Sequence, residues 1–272
     1  MEREFFCRVL LPGGTFKTTC ANRLDDVNLA LLPHLRGLGG GPLRIMDVAA
    51  SSAISTLEWR ELLQREGVVC QLVAGDQVFF ASLLTISPHF AALVDRRRNI
   101  IHLDFLGRGL TPRTRDWREG LAATLRAVVR LAMLVDRGLA PLQGDVATAA
   151  EGRILRCEPV VLASRRVIEQ GGITLVEDDL LAPNKPEFLG AFAVIRAANI
   201  LNRDNFPAAV LTRLTATLRA RLRPNGILVV CRTSAAGANH ASIFQQDGAG
   251  GFRVLDRVGE GSEIEELVLA SK

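Results

Sequence analysis

The chain has 272 residues, 48% of them hydrophobic, which is enough to bury one large core, either as a single α/β domain with insertions or as a domain with a small cap. Its net charge of +4 comes from basic residues spread along the chain, so nucleic-acid binding is permitted but not indicated. Five cysteines without any Cys-x-x-Cys spacing argue against a zinc site and a disulfide framework, so we expect reduced thiols and a cytoplasmic protein.

Residues 1–40 are predicted to form an N-terminal helical lid. Asp25 and Asp26 precede Val27–Leu38, in which apolar residues recur at helical spacing, and residues 39–41 are glycines that end this helix. The pattern itself predicts only a helix before the first strand, and this helix could serve as a lid or as a packing helix.

A strand, a tight turn and a helix are predicted within Leu43–Trp59. The apolar run Leu43–Val48 contains Asp47, five small residues follow it, and a helical pattern begins at Ile54. Small residues let a ligand approach the backbone, and the amides that open the helix face whatever lies beyond the carboxyl end of the strand. The turn therefore predicts a ligand site. The residues predicted to line it are Asp47, Ala49, Ala50, Ser51 and Ser52.

The charge and composition of this turn favour a positively charged nucleoside as the ligand. A dinucleotide site would require Gly-x-Gly-x-x-Gly, which is absent, and Asp47 would repel a pyrophosphate. The stretch resembles the first motif of the class I S-adenosylmethionine-dependent methyltransferases, which consists of a strand, an acidic residue and a glycine-rich loop. Ala-Ala-Ser-Ser-Ala stands in place of the glycines. Alanine and serine fit such a turn where no positive φ is needed, and they narrow the space beside the cofactor.

The resemblance implies a fold, a cofactor and a reaction. The fold would be α/β and Rossmann-like, a doubly wound, mostly parallel sheet with a C-terminal antiparallel hairpin and an inserted cap between the second and third strands. Residues 41–272 would form the methyltransferase domain, with residues 80–158 as the cap. The cofactor would be S-adenosyl-L-methionine. We expect a small molecule as the methyl acceptor, a choice that the resemblance itself does not make.

A carboxylate follows the second predicted strand, Val68–Val73, at Asp76. Such a carboxylate can accept hydrogen bonds from two vicinal ribose hydroxyls, or it can cap the next helix. Asp76 follows Asp47 by about the length of one βαβ unit, which favours the ribose.

Residues 77–158 allow two interpretations. Phe90–Val94 and Ile100–Phe105 are predicted to form a β-hairpin across a charged turn, but the second run could instead be the third parallel strand. We favour the hairpin because Ile173–Val176 is better placed as that third strand. The long separation between Asp76 and this strand favours an inserted cap.

A helix is predicted over Trp117–Leu139. Arg118, Arg126, Arg130 and Arg137 fall on one face of it, and the charges within this apolar stretch exclude a conventional membrane span. The basic face could contact phosphates, anionic lipid or an acidic substrate, whereas an ordinary solvated helix face is the simpler interpretation. The sequence is compatible with contact between residues 117–139 and a membrane surface.

Polar residues also follow the third and fourth predicted strands. In the family that the chain resembles, an acid after the third strand accepts the adenine amino group, a role that falls to Asp179 with Asp178 as the alternative; either could instead cap a helix. The fourth strand, Phe192–Leu201, contains Asn199, which by the same resemblance lines the pocket between methyl donor and acceptor. No Pro-Pro-aromatic sequence follows Asn199, so methylation of DNA bases is not expected.

The C-terminal part is predicted to contain a helix, Ala208–Leu222, a left-handed turn at Asn225-Gly226 and a buried strand, Ile227–Arg232. Further strands are expected at Ala241–Phe244, Phe252–Val258 and Ile264–Leu269, with the last two paired as the closing hairpin.

Methyl transfer is an in-line displacement that mainly requires alignment of donor and acceptor and exclusion of water. His240, beyond the fifth strand, is the candidate general base for an acceptor that must lose a proton. Three classes of function follow: a small-molecule methyltransferase, a methyltransferase acting on RNA or protein, and a nucleoside-binding protein without turnover. A homodimer is compatible with each of them.

Overall fold

The computed structural model describes residues 2–11, 14–17, 21–39, 41–111, 119–135, 156–247 and 250–271. The chain divides into two compact units, the first made of Met1–Thr19 and Val78–Ser164 and the second of Cys20–Gln77 and Arg165–Lys272. The helices are α1 (Glu2–Phe6), α2 (Asp25–Leu35), α3 (Ile54–Arg65), α4 (Glu119–Val135), α5 (Arg165–Gln170), α6 (Ala208–Arg221) and α7 (Glu265–Ala270). The strands are β1 (Leu43–Val48), β2 (Cys70–Asp76), β3 (Phe80–Ser87), β4 (Phe90–Asp95), β5 (Ile100–Phe105), β6 (Arg108–Leu110), β7 (Arg156–Val161), β8 (Ile173–Glu177), β9 (Phe192–Ala198), β10 (Leu222–Thr233), β11 (Asn239–Gln246) and β12 (Phe252–Val258).

The second unit contains a seven-stranded sheet in the order β12-β11-β10-β9-β1-β2-β8. The five strands from β10 to β8 run parallel to one another, while β11 is antiparallel to both of its neighbours. This is a mixed α/β architecture around a mostly parallel sheet, as the sequence predicted in outline.

Helices cover both faces of this sheet because its central strands are apolar on both sides. Strand β9 is buried along its whole length, which is typical of a parallel strand between two helical layers. On one face the core includes Met46, Ile195, Leu214 and Val268, and on the other Ile45, Val194, Leu31 and Trp59. The first core draws on α6 and α7, and the second on α2 and α3.

The first unit contains a five-stranded antiparallel sheet in the order β6-β5-β4-β3-β7, against which α4 packs. The hairpin predicted from Phe90–Val94 and Ile100–Phe105 is confirmed as β4 and β5, so the alternative of a third parallel strand is wrong. Arg98 takes a positive φ of 63° in the connecting turn, which reverses the chain within a few residues.

Residues 1–40, predicted as one helical lid, are shared between the two units. Residues 1–19 belong to the first unit, whereas α2 belongs to the second, where Val27 and Leu35 are buried against the seven-stranded sheet. The function of these residues as a lid stays a prediction.

The C-terminal prediction requires one correction. Ile264–Leu269 was expected to be a strand paired with Phe252–Val258, but the structure forms α7 there, and the antiparallel partner of β12 is β11. Ile264 and Val268 lie four residues apart and are both buried in the same core, which is a helical spacing rather than an alternating one. The left-handed turn is confirmed at Asn225, whose φ is 61°.

Candidate ligand-binding site

The chain order around β1 defines where a ligand is expected. In the sheet, β1 lies between β2 and β9. The strand β2 follows β1 directly in the parallel part of the sheet, whereas β9 comes much later in the sequence. In an open parallel sheet such a change of direction leaves a crevice beyond the carboxyl ends of the two strands, and ligands bind there. The loops that follow β1 and β9 at this edge contain Ala49–Ala53 and Asn199.

The loop after β1 adopts a backbone that usually requires glycine. Ala49, Ser51 and Ala53 have φ values of 53°, 55° and 59°, so alternate residues of this glycine-free loop are left-handed. Alanine and serine were expected to fit this turn only if no positive φ is needed, and that expectation is wrong. A left-handed residue with a Cβ atom costs about 1–2 kcal/mol, so the loop is strained.

Two hydrogen bonds tie this loop to the end of β2. The backbone N–H of Ala50 donates to the carbonyl of Gly75 at 3.0 Å, and the backbone N–H of Ser51 donates to Oδ2 of Asp76 at 2.7 Å. The structure therefore brings Asp76 and the predicted loop together. The hydroxyls of Ser51 and Ser52 are buried and lack a hydrogen-bond partner within the described residues.

Asp47 forms a buried ion pair with Arg196. The Nε and Nη2 atoms of Arg196 donate to the two carboxylate oxygens at 3.0 and 2.6 Å, and Thr56 Oγ1 donates to Oδ2 at 2.6 Å. Arg196 also donates to Asn28 and lies 4.2 Å from the centre of the Trp59 ring. Asp47 was expected to carry an uncompensated negative charge, and its pairing with Arg196 corrects this expectation. Its contact with a cofactor stays a prediction.

The two acids after β8 have different surroundings. Asp178 is buried, and the Nη1 and Nη2 atoms of Arg221 donate to its carboxylate oxygens at 2.6 and 3.1 Å. Asp179 is partly exposed and accepts the backbone N–H of Leu181 at 3.0 Å, closing a local turn. Asp179 is therefore the more accessible candidate for an adenine amino group.

Asn199 joins the ends of β9 and β10. It has a positive φ of 61°, and its Oδ1 accepts the backbone N–H of Thr233 at 2.6 Å. The carbonyl of Asn199 accepts the side-chain amide of Asn202 at 3.1 Å. These contacts give Asn199 a structural role at this edge, and its predicted place beside the methyl donor is not tested by them.

His240 lies at the same edge of the sheet but away from the β1 loop. It is in β11, where its Nδ1 accepts the backbone N–H of Glu260 at 3.2 Å. Three strand spacings separate β11 from β1, which amounts to about 14 Å. The structure therefore brings together Asp76, Ser51 and the end of β8, but not His240.

The residues that sequence reasoning missed are the two buried arginines. Arg196 interrupts an otherwise apolar strand, and a charge inside a central parallel strand needs a buried counter-charge. That signal could have indicated a buried acidic partner, but not the strand on which it lies. Arg221, at the end of α6, had no such signal because basic residues commonly occupy the last turn of a helix.

Together these features define a Rossmann-like α/β protein with a polar site at the carboxyl edge of its parallel strands. No protein-family model and no curated protein sequence matches the chain.

Structural similarities to several methyltransferases were found. The citrinin polyketide synthase CMeT domain is 16% identical, with 70% of this chain and 28% of that one covered and a TM-score of 0.33. The CurJ carbon methyltransferase is 13% identical, with 79% and 35% covered and a TM-score of 0.35. Phosphoethanolamine N-methyltransferase 2 of Haemonchus contortus, in complex with S-adenosyl-L-methionine, is 11% identical, with 76% and 28% covered and a TM-score of 0.33.

This chain spans less than half the length of each of these three proteins. At such TM-scores the likeness carries no conclusion about the activity of this chain.

Proposed function

We propose that the second unit binds S-adenosyl-L-methionine and transfers its methyl group to a small-molecule acceptor. The observation that supports this most is the position of Asp76, which ends the strand beside β1 and contacts the turn after β1. A carboxylate at this point of a Rossmann-like sheet can accept both hydroxyls of a ribose.

The residues present fit such a nucleoside in their donor and acceptor types. Asp76 would hold the ribose, Asp179 would accept the adenine amino group, and the buried hydroxyls of Ser51 and Ser52 offer hydrogen bonds that the described residues leave unused. The bound cofactor supplies an electrophilic methyl group, and transfer is a direct displacement at that carbon. The protein then has to align the acceptor and exclude water.

A second function, nucleoside binding without turnover, has its own support. Arg196 and Arg221 compensate Asp47 and Asp178, so two of the four acids near the strand ends present no net charge to a sulfonium ligand. The Cβ atoms of Ala49, Ser51 and Ala53 also occupy space that glycine would leave open at these left-handed positions.

Calorimetric titration separates these proposals from a dinucleotide site. The ligands are S-adenosylmethionine, S-adenosylhomocysteine and NAD, and the variants are Asp76→Asn and Asp76→Ala. Asp76→Asn keeps an acceptor for the Ser51 N–H but removes the charge, so we expect about a tenfold loss of nucleoside affinity with little loss of stability. Asp76→Ala removes the acceptor as well as the charge, so it should lose both nucleoside affinity and stability. Asp256→Ala, at an exposed position of β12, is the matched control and should bind normally.

Binding of NAD without binding of either sulfur nucleoside would overturn the assignment. If the nucleosides bind, incubation with labelled S-adenosylmethionine and separate pools of small molecules, RNA and protein identifies the acceptor class. Transfer to RNA or protein alone would contradict the small-molecule proposal, and tight binding without transfer to any pool would favour the second function.

A further inference from the structure

Helix α4 of the first unit buries one face against the five-stranded sheet. Ala122, Leu125 and Val129 recur at helical spacing, and all three are buried together with strand residues that include Leu84 and Leu103. This face is sufficient to attach the helix to its sheet.

The exposed part of α4 also carries large apolar side chains. The exposed fractions are 40% for Leu121, 41% for Val128, 61% for Leu131 and 77% for Leu134. At about 3.6 residues per turn, Leu131 and Leu134 lie on the side of the helix away from the sheet, whereas Leu121 and Val128 lie at the edge of the buried face, next to Leu125. The four side chains therefore form an oblique row along the exposed part of the helix, which scattered single exposures do not produce. A contiguous exposed apolar row of this kind marks a surface that contacts a partner or a membrane. We call these four side chains the outer face of α4.

The basic face that the sequence predicted for this helix is only partly present among the described residues. Arg118 and Arg137 lie outside them. Arg126 is paired with Glu119 at 2.9 Å, while Arg130 is exposed. The water-facing side of α4 is therefore dominated by apolar side chains rather than by arginines.

The charge that remains on this side is positive. Glu119 is the only acidic residue in the sequence of α4, and its carboxylate is bonded to Arg126. Basic residues also outnumber acidic residues across the first unit, whereas the two types nearly balance in the second. An apolar row beside an exposed arginine, on a unit with a basic excess, complements an anionic apolar surface.

We propose that the outer face of α4 docks on an anionic membrane surface. A helix lying in the lipid interface buries its apolar face about 5–10 Å deep and gains further attraction from basic residues beside it. No helix in the described ranges has both the length and the apolar character to span a membrane. The docking is independent of methyl transfer.

A second copy of the chain fits the outer face less well. A helix of 17 residues is about 25 Å long, so two such helices bury well under the ~800 Å² per partner that a stable dimer needs. A two-fold pairing would also bring the exposed arginines of both copies to one interface without a carboxylate to balance them.

Vesicle flotation tests the proposal on the full chain. One set of vesicles is pure phosphatidylcholine and the other contains about 30 mol % phosphatidylserine. We expect the wild type to float with the anionic vesicles at least about tenfold more than with the neutral ones. The double variant Leu131→Glu/Leu134→Glu should lose that binding, and Arg130→Glu should weaken it. Ile168→Glu, at a 52% exposed site on α5, is the matched control and should bind normally.

Circular dichroism and thermal unfolding verify that each variant is folded. Absence of wild-type binding to anionic vesicles overturns the proposal, and so does binding that the double variant retains. Analytical sedimentation tests the remaining alternative, a dimer. If the wild type is a dimer, the double variant is a monomer and neither binds vesicles, the outer face is assigned to contact with a second copy.

Discussion

Asp47 and Arg196 occupy paired positions on neighbouring parallel strands, β1 and β9, and form a two-bond ion pair from which solvent is almost excluded. Arg196 also donates to the carbonyl of Ser55, and Thr56 donates to Asp47, so the pair fastens the first turn of α3 to the sheet. Asp47 lies just before the strained loop that follows β1. The ion pair therefore helps to position this loop, and it neutralises the charge of Asp47 at the candidate site.

Removing one partner of this pair should destabilise the protein strongly. Arg196→Met or Asp47→Asn leaves a buried charge without its counter-charge, and each should cost about 3–5 kcal/mol of unfolding free energy. The double variant should cost much less than the sum, because no charge remains buried. Urea unfolding of all four species measures this coupling.

Arg257→Met serves as the control for the preceding prediction, since its pair with Glu265 lies at the surface. We expect a loss of no more than about 1 kcal/mol there. Strict additivity of Arg196→Met and Asp47→Asn would show that the two side chains do not interact as the structure shows.

Glycine should stabilise the loop after β1 at its left-handed positions. Ala49→Gly, Ser51→Gly and Ala53→Gly each remove a Cβ atom from a positive-φ residue, and each should raise the unfolding free energy by about 0.5–1 kcal/mol after the extra entropy of glycine is subtracted. Ala50→Gly is the matched control in the same loop, because Ala50 is not left-handed. It should be neutral or destabilising, and equal gains at all four positions would refute the strain.

Cys231 should be unreactive in the folded protein. Burial raises the pKa of its thiol to about 12, so at pH 8 almost none of it is the reactive thiolate. Exposed Cys7 should react with iodoacetamide at least about a hundredfold faster. Peptide mapping after timed labelling measures both rates, with denatured protein as the reference. Comparable rates in the native state would contradict the burial of Cys231.

His102 should make the first unit sensitive to acid. Burial lowers the pKa of this histidine, whereas in the unfolded chain it titrates near its ordinary value of about 6.5. The unfolded state then binds more protons below that value, so stability should fall as the pH is lowered through it. His102→Gln should flatten this dependence, while His89→Gln, at an exposed turn, should not. Unfolding at pH values between about 5 and 7 provides the comparison.

Local patterns predicted most of the elements correctly. β1, α3 and the β4–β5 hairpin follow from apolar periodicity and turn residues within short windows, which is information that the sequence carries directly. Ile264–Leu269 was assigned wrongly because a six-residue segment with only four apolar residues is too short for its periodicity to distinguish a strand from a helix. The burial of Ile264 and Val268 in one core, which only the tertiary structure shows, is what distinguishes the helix α7 from a strand.

In the candidate site, too, local features were predictable from the sequence, whereas contacts between distant residues were not. The sequence alone predicted that Asp47, Asp76 and Asp178 would lie at or next to the ends of strands, because strand ends are local. It could not show that Arg196, 149 positions after Asp47, lies beside it, since that depends on β9 pairing with β1 rather than with β8. Nor could it show that the alanine and serine turn is left-handed. Strand pairing determines which acids are paired with arginines and which keep an uncompensated charge. Strand pairing and the loop geometry that follows from it arise only when distant parts of the chain pack together.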